Sequence, residues 1–261
     1  MITQYESPTS KVNIKSLYIG NHWDLYSDKF KITNSTYTDI CVRGIGLESN
    51  TDNDFFTSSE IEDTHFMVVS GDMDNSQSLQ SILTFAQKFK SLNKDGVLIA
   101  VMLDSHIKKD SCNTIKEIFD HIVFIEDNDF LSSPLKIIDS TFQEGFMPID
   151  FLDVRDLFKK YKFSALSTAS RKDSGDVNEF LDSWIILIKN YCNNIGLKIQ
   201  GMLVNLSFDG ERGNLDIAET FFSSFAKMID TKECEFLPIG QFNSKDSIVE
   251  VSVLTMANEY I

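Results

Sequence analysis

Gly145-Phe-Met-Pro-Ile-Asp-Phe-Leu-Asp-Val-Arg-Asp156 places two carboxylates at the entrance to an apolar helical segment. Pro148 removes a backbone donor and restricts its own φ angle, which stiffens the approach to that segment. Asp150 stands where a helix N-cap is expected, because the apolar residues after it recur at spacings of three and four. An ordinary capped amphipathic helix would explain Asp150 by itself, and it remains an alternative interpretation of the whole string.

The composition is that of a folded and strongly acidic protein. With 261 residues, 42% of them hydrophobic, the chain is long enough to bury a sizeable core in one large or two modest domains. Its net charge of -15 is unfavourable for nucleic acid and for anionic membranes, because their phosphate groups attract clustered Lys and Arg. No apolar run has the length of a membrane span, and the first residues lack the blocks of a signal peptide. These observations predict a cytoplasmic protein that binds neither nucleic acid nor, directly, a membrane.

The cysteines and histidines show no pattern of a metal or redox site. The four cysteines include no Cys-x-x-Cys pair, and the four histidines include no pair at helical spacing. We expect reduced, mostly buried thiols, no disulfide framework and no metal site. The residues concerned are Cys41, Cys112, Cys192, Cys234, His22, His65, His106 and His121.

The first half of the sequence alternates short apolar runs with helical patterns, which is typical of parallel strands joined by helical crossovers. The clearest unit is a strand at 65–70, a helix at 78–90 with its apolar residues on one face, and a strand at 97–103. The other predicted elements of this half are strands at 14–19 and 121–125 and helices at 114–119 and 135–142.

The second half mixes helices and strands, and its last two strands are predicted to pair as an antiparallel, hairpin-like edge. We therefore predict an α/β fold with a parallel-sheet domain over residues 1–149 and a smaller α+β domain over residues 150–261. The predicted elements of this half are helices at 150–160, 177–192 and 215–228 and strands at 163–167, 198–208, 234–242 and 248–255.

The string at 145–156 resembles the synergy loop of FtsZ, the bacterial relative of tubulin, which reads roughly Gly-Leu-x-Asn-Val-Asp-Phe-Ala-Asp-Val-Arg. Pro148 stands at the Asn position. In that family the loop enters the GTP site of the next subunit in a filament, and its acidic residues position the attacking water. The resemblance implies that role for Asp150 and Asp153, and it implies an interface made of Pro148, Asp150, Phe151, Asp153 and Arg155.

Shorter matches occur in the same order along nearly the whole chain. Val42-Arg-Gly-Ile-Gly46 resembles Thr-Arg-Gly-Leu-Gly, Asp63-Thr-His-Phe-Met-Val-Val69 resembles Ala-Asp-Met-Val-Phe-Val, and Asn128-Asp-Phe-Leu131 resembles Asn-Asp-Lys-Leu. Residues 201–206 and 249–255 resemble two core strands of the family's C-terminal domain. By resemblance, the chain is identified as a divergent member of the FtsZ/tubulin-like family, with a tubulin-like arrangement of its two halves.

The nucleotide-binding loops of the family are degraded in this sequence. The family's Gly-Gly-Gly-Thr-Gly-Thr-Gly lets backbone N–H groups cradle phosphates at a helix N-terminus, whereas this chain has Gly71-Asp-Met-Asp-Asn-Ser-Gln-Ser78 there. Asp72 and Asp74 would repel a polyphosphate, and an acidic capped turn that begins a helix at Ser76 or Ser78 explains them without a ligand. The candidate nucleotide-binding residues that remain are Gly71, Asp72, Asn75, Ser76, Gly44 and Gly46.

Two further losses accompany this one. The first predicted strand is followed by Gly20 and then Asn21-His-Trp-Asp24, without the glycine-rich loop that the family has there. Only 22 residues separate Asn128 from Asp150, which leaves room for one short helix. The family has two helices in this interval, and the second, which carries residues that grip the guanine, is expected to be truncated.

The leading hypothesis is a non-catalytic FtsZ-like protein that needs no cofactor. It would be a partner or cap of FtsZ-type filaments, or a self-associating cytoskeletal scaffold, and a role in cell division rests on the resemblance alone. The alternative is a divergent polymer-forming GTPase that binds GTP and Mg²⁺ and uses Asp150 and Asp153 in trans. A third interpretation is an unrelated α/β protein, for which an antiparallel first half would be evidence. Because the chain stops at 257–261, recruitment of partners by a C-terminal tail is not expected.

Overall fold

The described part of the chain forms a nine-stranded sheet with helices on both of its faces. In the computed structural model, the residues described are 11–21, 23, 27–30, 37–46, 55–107, 110–127, 133–143, 149–171, 177–209, 215–228, 234–243 and 249–260. The strands are β1 Val12–Ile19, β2 Thr38–Ile45, β3 Phe66–Gly71, β4 Val97–Leu103, β5 His121–Ile125, β6 Phe163–Arg171, β7 Gly201–Asp209, β8 Glu235–Asn243 and β9 Val249–Ala257. The helices are α1 Ser58–Glu62, α2 Ser76–Leu92, α3 Asp110–Ile118, α4 Ser133–Thr141, α5 Phe151–Lys160, α6 Val177–Asn194 and α7 Leu215–Met228, with 3-10 turns at Ser27–Phe30 and Asp104–His106.

The strand order is β2-β1-β3-β4-β5-β6-β9-β7-β8. Every neighbouring pair from β2 to β6 is parallel, β9 is antiparallel to both β6 and β7, and β8 is parallel to β7. The continuous apolar runs of β3, β4 and β5 are typical of parallel strands that are covered on both faces. The first half is therefore parallel, as the sequence predicts.

The predicted hairpin of the last two strands is wrong. β9 lies between β6 and β7, whereas β8 is the outer strand and pairs with β7 alone in the described part of the chain. β9 is buried over nearly its whole length, as an internal strand should be. β8 contains Pro238, which lacks a ladder donor and is tolerated best at the edge of a sheet.

The sheet is continuous across the proposed domain boundary at residue 149. β5 and β6 pair through Ile122 with Phe163 and Phe124 with Ala165, so both halves contribute to one sheet. The division into residues 1–149 and 150–261 stays a prediction, and the two parts are joined by backbone hydrogen bonds as well as by the connecting chain.

His121 forms hydrogen bonds across the junction between β5 and β6. Its Nδ1–H donates to the carbonyl of Tyr161 at 2.6 Å, which leaves Nε2 to accept from the Ser164 hydroxyl at 2.8 Å. The ring is completely buried and makes an edge contact with Phe158, with the ring centres 4.9 Å apart. Burial lowers the pKa of His121 to about 4, so the neutral imidazole is the form built into the fold.

The short helix α4 lies inside the curve of the sheet. The Thr38 hydroxyl of β2 donates to Asp139 at 2.5 Å, and Asn205 of β7 donates to the Ser140 hydroxyl at 2.6 Å. Six strands separate β2 from β7 in the sheet, so these two bonds require the sheet to curve around α4. α4 has nine residues and lies where the sequence predicts a short helix at 135–142; residues 128–132 and 144–148 of this interval lie outside the described part of the chain.

Two hydrophobic clusters fill the two faces of the sheet. α1, α2, α3, α6 and α7 cover one face, and α4 and α5 cover the other. Within α5, Val154, Leu157 and Phe158 are buried at the predicted helical spacing. The core therefore fixes the start of α5 relative to the strand ends, which positions the two candidate sites.

Candidate functional site

The first candidate site is the edge of the sheet where the parallel strands end. Open α/β sheets bind ligands in the crevice outside the carboxyl ends of their strands, and the predicted nucleotide residues lie there. Gly71 ends β3 and Asn75 and Ser76 begin α2, while Gly44 and Gly46 lie at the end of β2. The structure thus brings Gly71, Asp72, Asn75 and Ser76 together as one strand-to-helix turn.

Two of the glycines are explained by packing within the chain. A Cβ at Gly71 would lie 2.0 Å from the carbonyl oxygen of Ile19, so the close approach of β1 and β3 requires glycine there. A Cβ at Gly44 would lie 1.9 Å from the Trp23 ring, which also packs on Tyr18 with ring centres 5.9 Å apart. Gly46 differs, because its Cβ would meet no described atom within 4 Å. Neither Gly71 nor Gly44 needs a ligand to account for it.

Asp72 occupies the mouth of the crevice. Its Oδ2 accepts a hydrogen bond from the backbone N–H of Asn21 at 3.4 Å, and it lies 3.1 Å from the position that a Gly20 Cβ would take. Asn21 follows β1 and Asp72 follows β3, so the carboxylate bridges two neighbouring strand ends. The Asn21 N–H, which could otherwise donate to a bound phosphate, therefore donates to the Asp72 carboxylate of the same chain.

Asn75 takes the amides at the start of α2. Its Oδ1 accepts from the N–H groups of Gln77 at 2.9 Å and Ser78 at 3.1 Å, which makes Asn75 the N-cap. The predicted capped turn with a helix starting at Ser76 is confirmed. These are the amides with which a helix N-terminus usually holds an anion, and here a side chain of the same turn uses them.

The described residues after the next strands add further carboxylates. Asp104 follows β4 and Glu126 follows β5, so that the described segments after β3, β4 and β5 contain Asp and Glu but no Lys or Arg. Among the described residues, the neighbouring imidazole is that of His106, which is buried with Nε2 3.1 Å from Oδ2 of Asp74. Sequence reasoning missed this contact, although the acidic residue directly after each of these strands could have indicated a negative edge.

The second candidate site is the start of α5. Asp150 is extended at φ -76° and ψ 139°, and its Oδ1 accepts from the Leu152 N–H at 2.9 Å, which confirms the predicted N-cap. Asp153 lies in the first turn and is exposed. Leu152 is 47% exposed between them, an unusual position for a large apolar side chain on this protein. Pro148 also belongs to the predicted interface, but it lies outside the described residues.

Phe151 and Arg155 have structural roles at this site. The Phe151 ring packs edge-on against His65 and Phe66, with ring centres 5.0 and 5.6 Å away. The Arg155 guanidinium binds Asp156 at 3.0 Å and lies 6.0 Å from the Phe151 ring. The predicted interface therefore divides into an anchored part, Phe151, and an outward-facing part that contains Asp150 and Asp153.

The two candidate sites lie at opposite ends of β3. Phe151 contacts Phe66 at the first residue of that strand, whereas Asp72 follows its last residue. Six residues at a rise of about 3.3 Å each give a separation of roughly 20 Å. The structure does not bring Asp150 and Asp153 together with Asp72 and Asn75, so any joint action requires two subunits.

Two kinds of site are absent from the described part of the chain. No group of three or more His, Cys, Asp or Glu among the described residues is placed to hold a metal ion. Among the described helices, none combines the length and apolarity that crossing a membrane requires.

The comparisons with known proteins bear on the fold. No family model and no curated protein sequence matches the chain. FtsZ from M. jannaschii matches in structure with a TM-score of 0.66 at 11% identity, covering 95% of this chain and 91% of that chain. CetZ from Methanosaeta thermophila matches at 0.61 and 10% identity, covering 95% and 87%. A protofilament structure of TubZ from Bacillus thuringiensis matches at 0.60 and 8% identity, covering 97% and 89%.

These likenesses extend over nearly the whole chain and agree with the parallel first half. Both observations contradict the interpretation as an α/β protein of another fold, for which an antiparallel first half would have been evidence. At identities this low the comparison concerns the fold and leaves the chemistry open. This chain has the fold of the FtsZ/tubulin family.

Proposed function

We propose that this chain is a non-catalytic cytoskeletal protein that acts by protein–protein association, as a partner or cap of FtsZ-type filaments. The observation that carries the proposal is that Asp72 and Asn75 accept hydrogen bonds from three backbone N–H groups of the crevice, those of Asn21, Gln77 and Ser78. The contact surface is the start of α5, where Asp150 and Asp153 are exposed. Known structures of this fold include an FtsZ dimer and protofilaments of CetZ2 and TubZ, which supports an assembling role.

The energetics of the crevice support the absence of nucleotide turnover. A polyphosphate at this edge would approach the Asp72 carboxylate, and like charges about 4 Å apart cost about 1 to 4 kcal/mol at surface-like dielectric constants. It would also have to displace the Asn75 side chain from the amides of α2. Nucleotide binding is therefore opposed twice, by the charge of Asp72 and by the loss of the Asn75 cap.

The distribution of charge favours a different protein as the partner over a second copy of this chain. A head-to-tail contact between copies would place Asp150 and Asp153 against the edge that carries Asp72, Asp74 and Glu126. Carboxylates would then face carboxylates, and such juxtapositions are unfavourable at an interface. A subunit end whose nucleotide is neutralised by bound cations would reduce this repulsion, and the present chain would offer no equivalent surface to the next subunit.

The test is a mixing experiment with the FtsZ-type protein of the source organism and GTP. We expect equimolar wild-type protein to shorten the filaments, measured by electron microscopy and sedimentation. Asp150→Ser with Asp153→Asn should lose this effect, since Ser retains the helix cap while both charges are removed. Asp182→Asn with Glu219→Gln removes the same charge from exposed positions on α6 and α7 and should behave as wild type. Filaments of unchanged length with the wild-type protein would contradict the proposal.

Calorimetry with GTP and Mg²⁺ separates this proposal from a divergent GTPase. The proposal expects no heat of binding at micromolar nucleotide. Tight binding, together with turnover that Asp150→Ser lowers while binding persists, would establish the GTPase instead.

A further inference from the structure

A cavity of about 350 Å³ lies between the far part of β6 and helix α6, along the same carboxyl edge of the sheet as the first candidate site but two strands beyond β3. The pairing of β5 with β6 ends at Phe124 and Ala165, whereas β6 continues to Arg171. The cavity occupies the space past the end of β5, and Glu126, the residue after that strand, lines it. Its volume falls in the range of about 300 to 1,000 Å³ in which proteins bind small ligands or parts of larger ones.

The walls of the cavity combine an apolar side with polar groups. Trp184 and Ile188 of α6 are buried and form the apolar side. Leu187 stands at the rim with 63% of its surface exposed, next to Ile186, which is 57% exposed. Thr168 and the two asparagines of α6 supply hydroxyl and amide groups, the latter being Asn190 and Asn194.

The cavity is negatively charged. Glu126 is the one ionised residue in its lining, which contains no Lys or Arg. A second carboxylate lies behind the wall, because the Tyr191 hydroxyl donates to Asp104 Oδ2 at 3.4 Å. Burial raises the pKa of Tyr191 and the nearby charges of Asp104 and Glu126 raise it further, so both carboxylates act inside this space.

The backbone of β6 extends past the last residue of β5 that pairs with it, towards the same space. Successive residues of a strand direct their N–H and C=O groups to opposite sides. The carbonyl of Lys162 accepts from the Ile122 N–H, so even-numbered residues here face β5. Thr168 therefore directs its backbone groups past the end of β5 into the cavity, and no strand in the described part of the chain pairs with it on that side.

We propose that this cavity binds an extended peptide segment of another protein that carries an arginine or lysine side chain. The basic group pairs with Glu126, the peptide backbone pairs with Thr168, and an apolar neighbour in the segment contacts Leu187. The charge determines the choice of occupant, because the described lining contains Glu126 and no Lys or Arg, and such a lining favours a cationic group. Addition of a strand to an exposed edge is a common mode of peptide recognition, and it makes the backbone the main source of affinity.

The experiment is an NMR titration of the full chain with the peptide acetyl-Val-Thr-Arg-Val-Thr-amide. The matched ligand replaces Arg by citrulline, which keeps the shape and removes the charge. We expect signals of Thr168, Trp184 and Glu126 to shift, and we expect the citrulline peptide to bind about tenfold more weakly through loss of a charge-assisted hydrogen bond. Glu126→Gln should weaken the arginine peptide by a similar factor, whereas Glu62→Gln on α1 should leave binding unchanged.

Leu187→Gln supplies a second variant that the fold should tolerate, because the side chain is already exposed. It should weaken both peptides equally, since it removes the apolar contact and no charge. Equal affinity for the arginine and citrulline peptides, or no shifts at millimolar peptide, would overturn the proposal. Arginine amide that binds as tightly as the peptide would overturn the peptide as ligand, because the backbone of β6 would then contribute nothing.

Discussion

The two ends of β3 carry polar residues whose hydrogen-bond partners differ. At the carboxyl end, Asn75 accepts from two backbone N–H groups at the start of α2, and Asp72 accepts from the Asn21 N–H and so connects the ends of β1 and β3. At the amino end, where α5 begins, Asp150 uses one oxygen as a cap and Asp153 is exposed. A resemblance in residue type is therefore insufficient to assign a function. The function of a polar group also depends on whether it binds a group of its own chain or is free to bind another molecule.

The two ends of β3 stay at a fixed separation only while the sheet is intact. The pairing of β5 with β6 joins the two halves of that sheet. The largest expected effect is therefore a loss of stability in acid through His121. Its pKa falls from 6.5 to about 4 on folding, so the unfolded chain binds the proton more tightly. The stabilisation is complete above pH 6.5 and is lost as the pH falls towards 4, by up to about 3 kcal/mol in the free energy of unfolding.

Urea denaturation at a series of pH values measures this loss, with His121→Asn as the comparison. Asp139 contributes to the pH dependence of stability with the opposite sign. Burial raises the pKa of Asp139, and the hydrogen bonds from Thr38 and Gln143 only partly offset this rise, so protonation of Asp139 favours the folded state as the pH falls. The difference between wild type and variant isolates the His121 contribution from this and other groups. An identical decline in both proteins would show that His121 does not fasten the junction.

The second prediction concerns the glycines of the crevice. Gly71→Ala places a methyl group against the Ile19 carbonyl and should lower the free energy of unfolding by about 2 kcal/mol or more. Gly46→Ala is the matched control, since its Cβ meets no described atom within 4 Å and should change stability by less than about 0.5 kcal/mol. If denaturant melts show equal effects, Gly71 is not a packing residue and the explanation of the carboxyl end must change.

Local sequence patterns predict part of the fold and of the candidate site. Periodicity located β3, β4 and β5, and the cap at Asp150 followed from a local pattern of side chains. β2 was missed, because Asp39, Arg43 and Gly44 interrupt its apolar run. The contact of Asn21 with Asp72 joins residues 51 positions apart, and no local pattern encodes it.

The neighbours of the last strands were also beyond the sequence. Alternation in β8 and β9 indicates strands but does not say which strands flank them, and a hairpin was the simplest assumption. β9 is buried along nearly its whole length, as expected for a strand in the interior of the sheet. That burial depends on the neighbouring strands, so the local sequence does not predict it.

The third prediction separates the two aspartates of α5. Asp150→Ala removes the N-cap and should lower the free energy of unfolding by about 1 kcal/mol, whereas Asp153→Ala, an exposed first-turn residue, should change it by less than about 0.5 kcal/mol. Asp150→Ser should retain most of the stability, because Ser also caps helices. Thermal melts followed by circular dichroism measure all three. A larger loss for Asp153→Ala than for Asp150→Ala would mean that Asp153 has a structural role that its exposure does not reveal.

The smallest expected effect tests the charge argument against self-association. Asp72→Asn with Asp74→Asn removes two charges from the carboxyl end, and Asn at 74 can still accept from His106. If repulsion from Asp150 and Asp153 of another copy prevents stacking, the variant should self-associate about fivefold more tightly, as exposed charge pairs contribute at most about 1 kcal/mol each. Sedimentation velocity at low salt measures this, and added salt should reduce the difference because it screens exposed charges. Asp182→Asn with Glu219→Gln changes the net charge equally; a similar gain in that protein would assign the effect to total charge and leave the two ends of β3 without a role in it.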